Sequence, residues 1–425
     1  MITTLRNAWK IPELRKKLIF TVLVLLIFRV GSVIPVPYIN GTVLSQYYSQ
    51  NLANTVLGLL NAMSGSSLSS AKLFALSIQP YINASIIIEL LTIAIPALER
   101  MAKEEGEEGK QKINRITRYT TVGISLLMGW AYYVMLSNYS GILTETGFLP
   151  GTVIVLSFAA GAAFVMWLGE QITEFGVGNG ISVILFANII SRVPALIVTA
   201  VTSLQSGDIK WWTLVLLVIG MLALIAFIVF ITNAERRIPV QYAKRVVGRK
   251  IYGGQSTHLP IKVNMSGVLP IIFAQSIASV PATICTFVGK TSGWWYTNVF
   301  DSSCVVYAVC YFLLIIAFSY FYATVQYNPV EIANNMKKNG GFIPGFRPGR
   351  PTADFIAKTI HKIVLFGALY LGIVALLPII VGNVIGVSSL AVGGTSVIIV
   401  VGVATETVEA IEAQMLMRHY KGFLE

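Results

Sequence analysis

The chain has 425 residues, of which 55% are hydrophobic and only 12% are charged, and its formal net charge is +12. A soluble domain is about one-quarter charged, so the composition excludes an ordinary water-soluble globular protein, and the mean hydropathy of +0.73 indicates lipid as the solvent. The three cysteines, Cys285, Cys304 and Cys310, have neither the even number of a disulfide framework nor the spacing of a metal site.

Ten apolar segments have about the 20 residues that a helix needs to cross the hydrocarbon core. Backbone groups in lipid must be hydrogen-bonded within their own segment, so we predict an all-α polytopic membrane protein. The predicted spans are 18–36, 73–95, 119–137, 151–169, 181–201, 211–232, 267–288, 304–325, 360–381 and 390–410. No cleavable signal peptide is expected, because no small-residue cleavage site follows the first apolar run.

The basic residues predict the orientation of these spans. Of the 31 Lys and Arg residues, 25 fall on the side that carries both termini, and only Lys72, Lys210 and Lys290 fall on the other. The positive-inside rule therefore predicts that both termini are cytoplasmic. The loop 170–180 is an exception, because it has no Lys or Arg although it is predicted to be cytoplasmic.

Acidic residues inside the spans are scarce, and this argues against an ion-coupled carrier, the main alternative function. Such transporters usually carry carboxylates or histidines deep in their spans. Glu89 is the one acidic residue well inside a predicted span, and Glu406 lies toward the end of the last one. A secondary transporter of a small solute is thus the less favoured, alternative function. A ribosome anchor without a pore is a third possible function.

Three loops stand out. The outer loop 37–72 contains a short apolar patch at 56–60, which is typical either of a surface helix or of a re-entrant segment. In the loop 233–266, β-branched residues flank a basic, glycine-containing turn, a pattern that predicts a hairpin. The positive-inside rule alone accounts for basic loops, but this turn and the loop 326–359 could also bind RNA phosphates or an acidic protein.

Several runs, in this order along the chain, resemble the SecY family. They read FALSIQPYINASIII at 74–88, WLGEQITE at 167–174, GNGIS at 178–182, QSTHLPIKVNM at 255–265, GFIPGFRPG at 341–349 and GGTS at 393–396. The resemblance covers essentially the whole chain. It implies a protein-conducting channel of the bacterial plasma membrane, which passes unfolded secretory proteins across and releases membrane segments sideways into lipid.

The resemblance also implies an architecture of ten helices in two pseudo-symmetric halves, 1–205 and 206–425, hinged near 202–210 around a central pore. A ring of apolar side chains would form the waist of that pore, and they are Ile78, Ile82, Ile181, Leu185, Ile272 and Ile399. Ile78 and Ile82 are four residues apart and share a helix face, as do Ile181 and Leu185.

By the same resemblance, a plug near 55–67 would lie under the ring. Its candidate residues are Leu57, Leu59, Leu60, Asn61, Met63 and Ser64. Ile86, Glu89 and Asn264 would lie at a lateral gate between the second, third, seventh and eighth spans. Glu89 stands where many family members carry Gln, and a charged, unpaired Glu there would make closure of the gate costly.

The resemblance further implies docking sites for the SecA ATPase and the ribosome on the two basic loops. The candidate residues are Lys244, Arg245, Arg249, Lys250, Arg347 and Arg350. Small SecE and SecG subunits, signal peptides and membrane lipids would be further partners. The chain has no nucleotide motif of its own, so we expect neither an enzyme nor a cofactor or metal, and the energy would come from a partner.

Overall fold

The computed structural model describes residues 2–49, 61, 64–103, 105–139, 141–206, 210–242, 245–247, 250–252, 256–265, 267–287, 299, 304–385 and 393–421. Helices make up most of this part. In chain order they are α1 (Ile2–Lys10), α2 (Pro12–Gly31), α3 (Gly41–Tyr47), α4 (Gln79–Ala94), α5 (Pro96–Lys103), α6 (Gly106–Ser137), α7 (Phe148–Phe175), α8 (Gly180–Ile190), α9 (Val193–Gln205), α10 (Trp211–Thr232), α11 (Leu269–Phe287), α12 (Val305–Gln326), α13 (Pro329–Lys338), α14 (Arg350–Ile385) and α15 (Gly393–Lys421).

Six helical segments in the described part are long and apolar enough to cross a membrane, and a bent pair of helices makes a possible seventh. The six are α6, α7, α8 with α9, α10, α12 with α13, and α14. The predicted helical, multi-pass character is therefore confirmed. Each of the ten predicted spans overlaps a described helix, but their number as membrane crossings stays a prediction.

One predicted span differs from the structure at its start, and proline marks both ends of its helix. In the span 73–95, the helix α4 begins only at Gln79, and a bend of 106° separates it from α5. Ile95 is extended at the bend because Pro96 disfavours helical backbone in the residue before it. The span 181–201 matches the apolar helical segment Gly180–Gln205, which has a short break between α8 and α9, where α9 begins with proline in its first turn.

Short strands form in the loop that follows α10. They are β1 (Glu235–Tyr242), β2 (Arg245–Val247), β3 (Lys250–Tyr252) and β4 (Ser256–Lys262), with β5 (Gly341–Phe342) contributed by the loop after α13. The antiparallel pair of β2 and β3 confirms the predicted hairpin. Sequence analysis missed the second sheet, in which β1 lies between β4 and β5 and thereby joins the two basic loops.

The main helix contacts fall into two groups. One contains α2, α4, α6, α7 and α8, and the other contains α10, α11, α12, α14 and α15. Between the groups, α11 packs against α4 and α6, and α15 packs against α8. The largest apolar cluster of the described residues draws side chains from both groups, so their packing is centred between them.

Candidate functional site

The six predicted ring residues come from four different parts of the chain but lie in a single apolar cluster. Five of them are buried, and Ile181 is half-buried and packs against the same cluster. The side chains of Ile78 and Ile181 both approach Gly169 of α7. A Cβ atom at Gly169 would lie 3.4 Å from Ile78 Cδ1 and 3.6 Å from Ile181 Cγ1. The structure thus brings the ring residues together between the two helix groups.

The motif at 178–182 sets the position of Ile181 through capping and close packing. Asn179 caps α8 by accepting a hydrogen bond from the backbone N–H of Ile181 at 3.1 Å. Thr173 Oγ1 of α7 accepts one from the N–H of Gly180 at 2.9 Å. Only glycine fits at 180, because a Cβ atom would lie 1.9 Å from the carbonyl oxygen of Gly169. The start of α8 is therefore fixed against α7.

Ile78 precedes the first residue of α4 rather than lying inside the helix as predicted. It occupies the N-cap position, and its carbonyl oxygen accepts the hydrogen bond of the Ile82 N–H at 3.1 Å. Pro80 stands in the first turn, where a missing N–H costs nothing. Ile78 and Ile82 are still one turn apart, so both reach the apolar cluster.

At the predicted lateral gate, a polar contact joins α4 to α11. Gln79 Nε2 donates a hydrogen bond to Ser276 Oγ at 3.3 Å, and both residues are buried. Sequence analysis did not single out this pair, although Gln79 is a polar residue inside an apolar run. Ile86 is buried and Glu89 is half-buried on α4. Asn264 is buried in the turn before α11, and no hydrogen bond of the described residues joins it to Glu89.

The predicted plug falls partly outside the described residues, which exclude Leu57, Leu59, Leu60 and Met63. Asn61 and Ser64 are both buried. Asn61 Oδ1 accepts a hydrogen bond from the N–H of Ser69 at 2.9 Å, and the Asn61 carbonyl oxygen accepts one from Ser64 Oγ at 3.1 Å. Consecutive tight turns follow up to Ile78, and we call residues 64–77 the connector.

The backbone of the connector is held in place by hydrogen bonds from neighbouring segments. The hydroxyl of Tyr132 in α6 donates to the carbonyl oxygen of Leu68 at 2.7 Å. The N–H of Val36 donates to the carbonyl oxygen of Ala71 at 3.1 Å, and the N–H of Leu73 donates to the carbonyl oxygen of Ile34 at 2.8 Å. These bonds tie the connector to α6 and to the chain after α2.

The candidate docking residues lie in the two loops that the second sheet joins. Lys244 and Arg249 are outside the described residues, while Arg245 and Lys250 lie on the facing strands of the hairpin. Arg347 and Arg350 are exposed in the other loop. There, the hydroxyl of Thr352 donates to the carbonyl oxygen of Arg347 at 2.8 Å. The backbone that presents the two arginines is thus fixed while their side chains are open to solvent.

Exposed charges pair at the start of α6, ahead of the predicted span 119–137. Lys112 bonds Glu105 at 2.9 Å and Glu108 at 3.4 Å, and these carboxylates, Glu105 first, raise the pKa of the lysine. In the described part of the chain, no three His, Cys, Asp or Glu side chains are grouped so that they could hold a metal ion.

Comparisons with known proteins agree with this geometry. The family model SecY matches residues 72–408. A "Protein translocase subunit SecY" of Streptomyces scabiei is 42% identical over 441 residues, which cover 100% of both chains.

Two solved structures share the fold at low sequence identity. A structure described as that of a protein conducting channel is 18% identical with a TM-score of 0.68, over 94% of this chain and 92% of that one. Sec61 in a canine ribosome-channel complex is 16% identical with a TM-score of 0.63, over 94% and 92%. The predicted resemblance, the channel function and the prediction that the chain is not an enzyme are thereby confirmed. The chain belongs to the SecY family of protein translocase subunits.

Proposed function

We propose that the chain forms the pore through which unfolded secretory proteins cross the bacterial plasma membrane, with ten spans in two halves, 1–205 and 206–425. The observation that carries the proposal is the convergence of the six ring residues in one apolar cluster. A narrow apolar constriction excludes water and ions by dewetting. It also accommodates any extended chain, because it offers no specific hydrogen bonds.

The division into two halves is supported by the grouping of the helix contacts. The two groups touch mainly through α11 with α4 and α6, and through α15 with α8. If α11 moved away from α4 and α6 while α15 stayed packed against α8 on the hinge side, a path from the ring to lipid would open. In this proposal Ile86, Glu89 and Asn264 lie along that path. A membrane segment could then leave sideways.

The segment 55–67 is proposed as the plug that closes the pore at rest. Support comes from its described residues Asn61 and Ser64, which are buried although they are polar and belong to a loop. A buried polar residue in a loop needs hydrogen bonds to offset its desolvation. Both residues have them, so these two described residues of the segment are packed into the protein rather than solvated.

The two basic loops are proposed as the docking surface for the SecA ATPase and the ribosome, on the cytoplasmic side with both termini. Support comes from the exposed Arg347 and Arg350 and from the pairing of β1 with β5, which joins the loop that carries the hairpin to the loop that carries these arginines. Arginine guanidinium groups bind phosphates and carboxylates in bidentate geometry. The canine relative of the same fold is described in a ribosome-channel complex. SecE and SecG are the proposed small subunits.

Reconstitution tests the proposal against the secondary transporter. Proteoliposomes that contain the purified translocase with this chain should protect a secretory protein from added protease when SecA and ATP are present. Ion-gradient-driven uptake of a small solute should be absent. Solute uptake without protection of the secretory protein would contradict the pore function.

A further inference from the structure

Asn188 contacts both ends of the connector, the segment 64–77 that overlaps the end of the predicted plug and leads to the predicted ring. It lies on α8, one turn after the ring residue Leu185, and is buried, with 1% of its surface exposed. An asparagine so deep in an apolar helix requires an explanation, because each polar atom without a partner costs free energy.

At the end of the connector, Asn188 binds Ser77. The Nδ2 group of Asn188 donates a hydrogen bond to Ser77 Oγ at 2.9 Å, and Ser77 is also buried. Ser77 immediately precedes the ring residue Ile78. The bond therefore links the backbone beside one ring residue to the helix that carries two others, Ile181 and Leu185.

At the start of the connector, Asn188 and its neighbour Ser191 lie against Gly65. A Cβ atom at Gly65 would lie 3.1 Å from Asn188 Oδ1 and 3.0 Å from Ser191 Oγ. Gly65 has a φ of +65°, so glycine is favoured there by both space and backbone conformation. The first residues of the connector are thus seated directly on the end of α8.

The connector is held in a strained conformation. Ser66, Ala71 and Ser77 have positive φ angles of 66°, 46° and 49°. Residues other than glycine seldom adopt this region, and such strain persists only where surrounding contacts enforce it. In addition, Asn188 Oδ1 is buried and has no hydrogen-bond partner among the described residues. The connector is therefore stabilised in this conformation by the Asn188–Ser77 hydrogen bond and destabilised by its strained backbone and by the unpaired Oδ1 atom.

We propose that the Asn188–Ser77 hydrogen bond is a latch that holds the connector against α8 beside the predicted ring and so keeps the idle pore closed. Strain in the connector and the unpaired Oδ1 atom keep the latch weak, so an arriving secretory chain can release it. Asn188 is on this account a positioning residue for closure. The inference rests on the proposed pore function and identifies which contact regulates it.

The test measures ion leak through the idle channel in planar bilayers. The variants are Asn188→Ala, Ser77→Ala, the double variant and a channel without residues 55–67. Removing either partner leaves the other without its hydrogen bond in a buried site, so each single variant should raise the leak by at least about fivefold. The double variant should leak no more than the leakier single variant, since both remove the same bond.

The matched control is Ser32→Ala. Ser32 is also buried, but it caps the end of α2, and its hydroxyl donates to the Phe28 carbonyl oxygen of that helix. This variant should seal like the unmodified channel. The unfolding temperature of every variant is measured as well, because a merely structural role would lower it without raising the leak.

The outcomes separate the latch from the pore. Single variants that seal normally while the plug-deleted channel leaks would overturn the latch and leave the pore function intact. If the increase in leak of the double variant equals the product of the two single increases, the latch is also overturned, because the two residues then act independently. A plug-deleted channel that neither leaks nor translocates would contradict the pore function, and the latch with it.

Discussion

The predicted apolar ring and the two basic loops differ in whether their side chains are buried or exposed. Ring residues such as Ile82 and Ile272 are buried in one cluster, whereas Arg347 and Arg350 point into solvent. Buried packing resists the entry of water, and exposed charge attracts a partner without holding the fold together. Sealing of the idle pore and driving of translocation should therefore depend on different residues, and substitutions should affect the two properties independently.

The largest effect is expected from a polar side chain placed in the ring. Ile82→Asn would introduce an amide that costs roughly 1–3 kcal/mol when it is buried without partners and that favours a hydrated constriction. We expect the ion leak of the idle channel to rise by about tenfold or more, measured in planar bilayers. Leu185→Ile keeps the volume and should seal normally. An equally tight Ile82→Asn channel would mean that Ile82 does not line the constriction.

The next effect is expected at the docking surface. Reversing two charges with Arg347→Glu and Arg350→Glu should slow SecA-driven translocation by about tenfold, because complementary charges set the rate of association. The leak of the idle channel should not change. Lys210→Glu, a matched reversal on the predicted opposite side, should leave translocation intact. A reversal at Lys210 that is equally harmful would contradict the predicted orientation.

A smaller effect is expected where the two helix groups touch. The Gln79–Ser276 bond joins α4 to α11 at 3.3 Å. A double-mutant cycle with Gln79→Ala and Ser276→Ala should give a coupling free energy of about 1 kcal/mol in the closed state, the usual net value of a neutral hydrogen bond. The measurement is the idle leak of the four channels. A coupling near zero would show that this contact does not hold the gate.

The smallest effect is expected from a surface ion pair. Arg118 Nε bonds Glu170 Oε1 at 2.8 Å, but more than half of the arginine side chain is exposed. Exposed pairs contribute roughly 0–1 kcal/mol. Arg118→Ala should therefore lower the free energy of unfolding by less than about 1 kcal/mol, with translocation unchanged. A much larger loss would place the pair in a region of low dielectric constant and would shift the predicted membrane boundary.

Sequence alone predicted the elements whose signal is local. The apolar runs predicted the helices, and the basic turn predicted the hairpin of β2 and β3. Pro96 marks the bend after α4, and the predicted span 73–95 ends directly before it. The alternation of Ile238 and Val240 in β1 was a further signal, masked by the arginines that precede it.

The contacts of the candidate site could be predicted only in part. The ring residues were placed by resemblance, and the structure gathers them in one cluster. The bond between Ser77 and Asn188, which are 111 residues apart, has no local signal, because it depends on how α8 packs against the connector. The positive φ of Ser77 could not be predicted either, since serine usually avoids that conformation.

Site-specific photocrosslinking tests the central claim most directly. A photocrosslinker is placed at Ile82 or Ile272, and a secretory chain is stalled during transit. A matched probe at Leu216, whose side chain is largely exposed on α10, reports contact with lipid. We predict adducts with the stalled chain at both ring positions, dependent on SecA or a ribosome, and none at Leu216. Efficient adducts at Leu216 with none at the ring would contradict the account.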